Sequence, residues 1–256
     1  MKRYIKSKIF LLGMLFVLIM MLPGDSSGEL GDDDTKGLVT YIDGRVKKKV
    51  INQQDWINAA TNTPVNSGDL VRTYVKSRAE LELLKLDVIR MAPETTIDIV
   101  KLYEETKGKI KETKISLQQG DIWAKLSQKS EQVKFDISSP VAAAAITGTV
   151  LRIGVSDDST TQVKVYTGEV RVSNISETKS LAPSESFAPQ EVPGPHEIQG
   201  PREISLDEWV YVVKSMQSIV IGNDGKVKQY GDFSIEDPDE KTDWIKWNIQ
   251  MDNLKR

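Results

Sequence analysis

Between Val133 and Asn174 the chain reads VKFDISSPVAAAAITGTVLRIGVSDDSTTQVKVYTGEVRVSN, and apolar residues recur there at every second position. Val133, Phe135 and Ile137 alternate with polar neighbours, as do Leu151, Ile153 and Val155, then Val163 and Val165, then Val170 and Val172. A period of two sets one face of each segment on a core and the other toward water, which is the pattern of a half-buried strand. Ser156-Asp157-Asp158-Ser159 and Tyr166-Thr167-Gly168-Glu169 supply turn chemistry between the runs. The same alternation appears earlier, in Ala79, Leu81 and Leu83 against Glu80 and Glu82, then in Ile97 and Ile99, then in Ile115 and Leu117. The predicted fold class is therefore mainly β, a β-sandwich or β-roll, with a small α/β appendage at the C-terminus.

A second signal overlays the strands. Gly followed by a polar residue and then by strand residues occurs at Gly44-Arg45-Val46, Gly68-Asp69-Leu70, Gly120-Asp121-Ile122 and Gly168-Glu169-Val170. Spacings of 24, 52 and 48 residues lie near multiples of 24. Such a period fits a layered, solenoid-like structure in which each Gly turns the chain into a new rung; the alternative is that Gly simply precedes many strands. The run Ala142 to Ala145, with Ile146, suits an internal strand squeezed between layers, or a segment that a partner's strand could approach closely.

The N-terminus has a signal peptide's layout. Lys2, Arg3, Lys6 and Lys8 precede the apolar run Ile9 to Leu22, and Ser26-Ser27-Gly28 offers small residues for cleavage. The run is shorter than the roughly twenty apolar residues a spanning helix needs, so no stable membrane span is expected after cleavage; an uncleaved anchor is the alternative. Loss of residues 1–28 removes those four cations and Asp25, taking the formal net charge from -3 to -6. A mildly acidic protein lacks the basic patch that nucleic acid or an anionic membrane would require. With no cysteine, the chain has no disulfide, thiolate metal site or lipidated cysteine. Residues 29–36, including Asp32-Asp33-Asp34, read as a solvated leader and not as a calcium loop.

Five blocks resemble the FecR domain family: VNSGDLVRT at 65–73, AELEL at 79–83, LQQGDIW at 117–123, SPVAAAAITGTVLRIGV at 139–155 and VKVYTGEVRVSN at 163–174. The family-motif positions are Gly68, Asp69, Arg72, Thr73, Gly120, Asp121, Gly148, Thr149, Gly168 and Glu169, and most of them are expected to be structural. The resemblance implies an extracytoplasmic all-β module over residues 37–182. In the best-known members such a module belongs to a membrane regulator that relays iron-siderophore status to a sigma factor. Those regulators carry a cytoplasmic segment of about eighty residues before their membrane helix, whereas eight residues precede the apolar run here. The expectation is an exported FecR-type binding or sensory module without the cytoplasmic effector, at the cell envelope or secreted.

Residues 183–201 hold five of the ten prolines and read as an extended connector, and the single histidine, His196, lies within it. The remainder, 202–256, is expected to form a helix-hairpin-helix appendage. Ser205 with Glu208 forms a capping-box pattern, and Leu206, Trp209, Val210, Val213, Met216 and Val220 follow at helical spacing. Asn223-Asp224-Gly225 predicts a hairpin turn, and Asp237-Pro238 predicts the start of a second helix bearing Trp244, Trp247, Met251 and Leu254 on one face. The element GPREISLDEW at 200–209 resembles the tail of solitary FecR-type proteins.

No nucleophile elbow, phosphate loop, dinucleotide fingerprint or zinc-binding helix motif occurs, so no catalytic residue, cofactor or metal site is expected. Asp69, Asp121 and Glu169 could in principle supply a hydrolytic carboxylate pair, but an acid after a turn Gly more often caps the turn. The expected work is binding, to an envelope protein or alternatively to cell-wall or surface glycan, for which Trp244 and Trp247 are the candidate platform.

Overall fold

The structure is a computed structural model describing residues 37–84, 87–105, 110–126, 133–174 and 209–254. The expected signal peptide, leader, Pro-rich connector and Ser205 capping box lie outside these residues. The described chain forms two sheets over one apolar core. In order across the first sheet lie β4 (Pro64–Val65), β1 (Gly37–Asp43), β6 (Arg78–Leu83), β7 (Asp87–Met91), the second half of β9 (Ile110–Lys125), β12 (Val150–Val155), β13 (Thr161–Thr167), β16 (Gln217–Ile221) and β17 (Val227–Asp232), all antiparallel. The second sheet runs β3 (Ile57–Asn58), β2 (Val46–Lys49), β5 (Leu70–Thr73), β8 (Thr96–Glu105), the first half of β9, β10 (Val133–Ser138), β11 (Ala143–Ile146), β14 (Glu169–Ser173) and β15 (Val210–Lys214). Among the described residues only the β9–β10 pairing is parallel.

The period of two seen in the sequence sets which side chains fill the core. Leu81, Ile89, Ile122, Ile153 and Val163 enter it from the first sheet, and Val71, Ile97, Ile115, Ile137 and Val172 from the second. Ala144 belongs to the same cluster, and β11 is hydrogen-bonded on one side to β10 and on the other to β14. The alanine strand is therefore internal, with no edge left for a partner.

Each recurring Gly moves the chain from one sheet to the other. Gly44 separates β1 from β2, Gly68 separates β4 from β5, Gly148 separates β11 from β12, and Gly168 separates β13 from β14. Gly120 does the same inside β9, whose first half pairs with β8 and β10 and whose second half pairs with β7 and β12. Its φ of 95° lies in the left-handed region, and a Cβ there would sit 2.5 Å from Thr95 Cα. Only Gly satisfies both conditions. The glycines thus mark the corners of two facing sheets, not rungs of a solenoid.

The expected helix through Trp209, Val213 and Val220 is not formed. Val210–Lys214 and Gln217–Ile221 are strands, one completing the edge of the second sheet against β14 and the other joining β13 in the first. The turn at Asn223-Asp224-Gly225 does connect β16 to β17, closed by a hydrogen bond from the Gly222 amide to the Lys226 carbonyl (2.9 Å).

A second correction concerns the C-terminal helix. Pro238–Glu240 is a single 3₁₀ turn, and the Asp237 carboxylate accepts from the Ser234 amide and caps no helix. The helix α1 spans Asp243–Leu254, where Thr242 Oγ1 accepts from the Ile245 amide at 3.3 Å, the geometry of an N-cap. Ile245 and Asn248 are its buried residues, while Leu254, expected on the packed face, is 72% exposed.

Candidate partner-binding surfaces

One transverse row of residues crosses the outer face of the first sheet. Strand register aligns Tyr41, Glu80, Arg90, Trp123, Arg152, Lys164 and Ser218 on seven successive strands. In sequence these are the polar alternates of half-buried strands, which ordinarily face water. Here Glu80, Arg90 and Lys164 are buried, because the chain from Pro238 to Leu254 lies over them.

Two polar networks hold that segment down. At one end Arg90, fully buried, donates from Nε to Glu80 Oε2 and from Nη1 to Asp252 Oδ1, each at 2.8 Å. Trp123 Nε1 donates to Asp252 Oδ2 (3.1 Å), and Lys125 Nζ donates to the Asp252 carbonyl (3.2 Å). At the other end Lys164 pairs with Asp239 and, at 2.8 Å, with Glu240, whose second oxygen accepts from Tyr166 Oη (2.6 Å). Between them Asp121 is paired with Arg152 through Nε at 2.7 Å and accepts from Trp244 Nε1 at 3.2 Å. Buried charges cost several kcal/mol each in lost hydration, and these ion pairs offset that cost in part. Burial pushes the Asp121 carboxyl above its ordinary range despite Arg152 pulling it down. Burial, reinforced by the Glu240 hydrogen bond, likewise raises the Tyr166 phenol.

Trp244 and Trp247, the expected glycan platform, stack on each other at 5.4 Å and are half-buried. Trp247 also contacts Tyr41 at 5.5 Å and lies over the Arg78 and Arg90 guanidiniums. Their contacts are with this chain's own sheet, as is Trp209's, whose Nε1 donates to the Gly225 carbonyl at 3.1 Å.

The motif residues between the sheets also bind the chain to itself. Asp69 is ion-paired with Lys48 at 3.0 Å and accepts from the Asn66 amide, closing the turn at Gly68. Thr73 Oγ1 donates to the Ala92 carbonyl and accepts from the Thr95 amide. Arg72 donates to Thr96 Oγ1 and stacks over Trp56. Thr149 Oγ1 donates to the Glu169 carbonyl across the Gly148 and Gly168 corners. Asp69 and Asp121 each hold a different cation, and the Glu169 side chain is exposed opposite Lys214, so the three acids form no common site. Among the described residues no group of three or more His, Cys, Asp or Glu is placed to hold a metal ion.

The outer margin of β15 differs from the rest of the surface. Among the described residues β15 is paired on one side only, with β14. Val210 and Val212 face outward, 62% and 41% exposed. Tyr230 of β17 lies beside them, its Oη within hydrogen-bond reach of Gln217 Oε1 (2.9 Å) and of the Val212 carbonyl (3.3 Å), its single proton serving one of them at a time. The rings of Trp209, Tyr211 and Tyr230 follow one another at 5.5 and 5.3 Å. Edge strands are ordinarily blunted by charge, Pro or a bulge. Val210-Tyr211-Val212-Val213 carries none of these until Lys214. The sequence signal for a strand lies in that apolar tetrad, three of whose four residues are β-branched, although Val213 and Val220 also fall at helical spacing.

Residues 69–171, from Asp69 at the corner before β5 to Arg171 in β14, match the family model described as FecR protein. Over this span the chain is similar to the FecR domain. Strands outside the matched span complete both of its sheets, since β1 lies between β4 and β6, and β15 and β16 extend from β14 and β13. Two crystal structures of a "putative anti-sigma factor" from Parabacteroides distasonis ATCC 8503 are also similar, each at 13% identity and a TM-score of 0.42, covering 64% of this chain. The chain spans 59% of the length of those structures. No curated protein matches the chain. Among the described residues no helix is long and apolar enough to cross a membrane.

Proposed function

We propose that this protein is an exported, non-enzymatic module of the cell envelope that binds a protein partner in a sensing or regulatory role, and that β15 is the docking edge. The observation that carries this reading is the uncharged margin at Val210 and Val212, which among the described residues is paired with β14 alone and is exposed beside Tyr230. A partner strand added there gains main-chain hydrogen bonds, while the outward valines and Tyr230 supply side-chain selectivity. The basic, apolar and small-residue succession of residues 1–28 supports export. The similarity to the FecR domain supports an extracytoplasmic sensory role. Wall or surface glycan is the competing ligand, and it is disfavoured by the engagement of Trp244 and Trp247 with Asp121, Tyr41 and Arg90.

The test is capture from solubilised envelope proteins and, in parallel, from purified wall polysaccharide, with the wild type and with Val210→Lys/Val212→Lys. One envelope protein held by the wild type and lost by the double variant is the expected result. Retention on polysaccharide that survives the edge substitutions and disappears with Trp244→Ala would overturn it.

A further inference from the structure

The row on the first sheet has the chemistry of a receptor, and the C-terminal segment has the chemistry of its ligand. Arg90, Arg152 and Lys164 lie on β7, β12 and β13, separated only by Trp123 of β9 in the register of the row. Neighbouring strands are about 4.8 Å apart, so three cations span roughly 15 Å along one line. The covering segment brings Asp239, Glu240 and Asp252 to those cations, with Trp244 and Trp247 filling the space between. The apolar cluster between the sheets is complete without it: its last member is Ile221, with Val227 packed at its rim. The segment is therefore attached on an outer face, through charged and aromatic contacts and the buried Ile245, and it contributes no residue to the inter-sheet cluster. Two donors there, Arg90 Nη2 and Arg152 Nη1, are buried with no hydrogen-bond partner among the described residues.

We propose that Pro238–Leu254 is a tethered occupant of an acidic-peptide site formed by Arg90, Trp123, Arg152 and Lys164, and that a protein partner presenting an acidic, tryptophan-containing helical segment takes the same row when the resident segment leaves. This site is separate from the β15 edge and stands whether or not that edge binds a partner. Tethering gives the resident segment a millimolar-scale effective concentration. A free competitor consequently gains access only when the resident contacts are weakened or when the competitor is the better ligand.

The probe is a labelled peptide of residues 236–254, added to the full chain and to Asp239→Asn/Glu240→Gln/Asp252→Asn, in which both ends of the resident segment lose the carboxylates that pair with Lys164 and Arg90. The variant is expected to bind the peptide at least tenfold more tightly than the wild type, with binding falling as salt rises and falling again when Lys164→Met is added. Hydrogen exchange on the wild-type chain provides a measurement independent of the variants: α1 amides are expected to exchange well before those of β9 and β12. Exchange of α1 only together with those strands would overturn the proposal, because the segment would then be part of the core. Release of α1 in the variant without peptide binding would also overturn it. A concentration-dependent dimer that excludes the peptide would reassign the row to a second copy of the chain and overturn the partner.

Discussion

Asp252 Oδ1 lies 2.8 Å from Arg90 Nη1, which ties the last turn of the chain to the middle of a sheet whose strand β7 is 162 residues earlier in the sequence. Arg90 has a second carboxylate in Glu80, which in turn accepts from Thr40 Oγ1 at 2.6 Å. Asp252→Ala leaves the guanidinium buried with one partner fewer and frees Trp123 Nε1. The expected loss is about 1–3 kcal/mol, the cost of stranding buried polar groups, read from urea unfolding. A change in the near-ultraviolet signal of Trp123 and Trp247 should accompany it.

Gly120→Ala tests the corner inside β9. An alanine there must hold a φ of 95° and displace Thr95, whose hydroxyl accepts from the Asp121 amide. A non-glycine residue in such a conformation costs about 1–3 kcal/mol before any clash. Thermal unfolding should show a loss at or above the upper end of that range, while Thr167→Ala, an exposed strand-end change, should show almost none.

Acid and alkali should both loosen the Pro238–Glu240 end. The Lys164 hydrogen bond holds the Asp239 carboxyl below its ordinary 3.8, so the stability this group contributes is present above that value and is lost as pH falls through the lowered one. Burial works to lower Lys164, but the hydrogen bonds of Asp239 and Glu240 prevail and raise it above 10.5; its contribution is present below that value and is lost as pH rises through the raised one. Asp121, raised by burial, acts in the opposite sense to Asp239, since its burial penalty disappears on protonation. Protection of the α1 amides, taken relative to the intrinsic exchange rate at each pH, is therefore expected to be flat between about pH 5 and pH 9 and to fall only below about pH 4 and above about pH 10.

Lysine at the β15 edge should affect binding without affecting folding. Val210 and Val212 point outward from β15, so Val210→Lys/Val212→Lys should shift stability by no more than about 0.5 kcal/mol per site. Unfolding midpoints for wild type and double variant should nearly coincide. A large loss of stability would mean that the valines are covered in the intact protein.

The strands from Val133 to Ser173 were legible because each inward residue is fixed by a local period of two, and Phe135, Ile137, Leu151, Ile153 and Val163 all fill the core. The turn glycines were legible for the same local reason. Trp209 to Val220 misled because Val213, Met216 and Val220 fall by coincidence at helical spacing. The β-branched density of Val210, Val212, Val213, Ile219 and Ile221 was the better guide, since such side chains lose rotamer freedom in a helix and pack well on a sheet. The charged row was hidden for a different reason. Glu80, Arg90, Arg152 and Lys164 occupy ordinary solvent-side positions, and only a segment 75 to 162 residues distant turns that side into an interface. No pattern within a strand encodes a cover that arrives from the far end of the chain.

The most direct test of partner binding at β15 is photo-crosslinking in the producing cells. The full chain would carry Val212→p-benzoylphenylalanine, and Ile235→p-benzoylphenylalanine would serve as a more accessible control, Ile235 being 59% exposed against 41% for Val212. The account predicts a discrete protein adduct from position 212 that is absent from position 235 and lost when Val210→Lys is added. Equal adducts from both positions, or none from 212 while the protein is retained on wall polysaccharide, would contradict it.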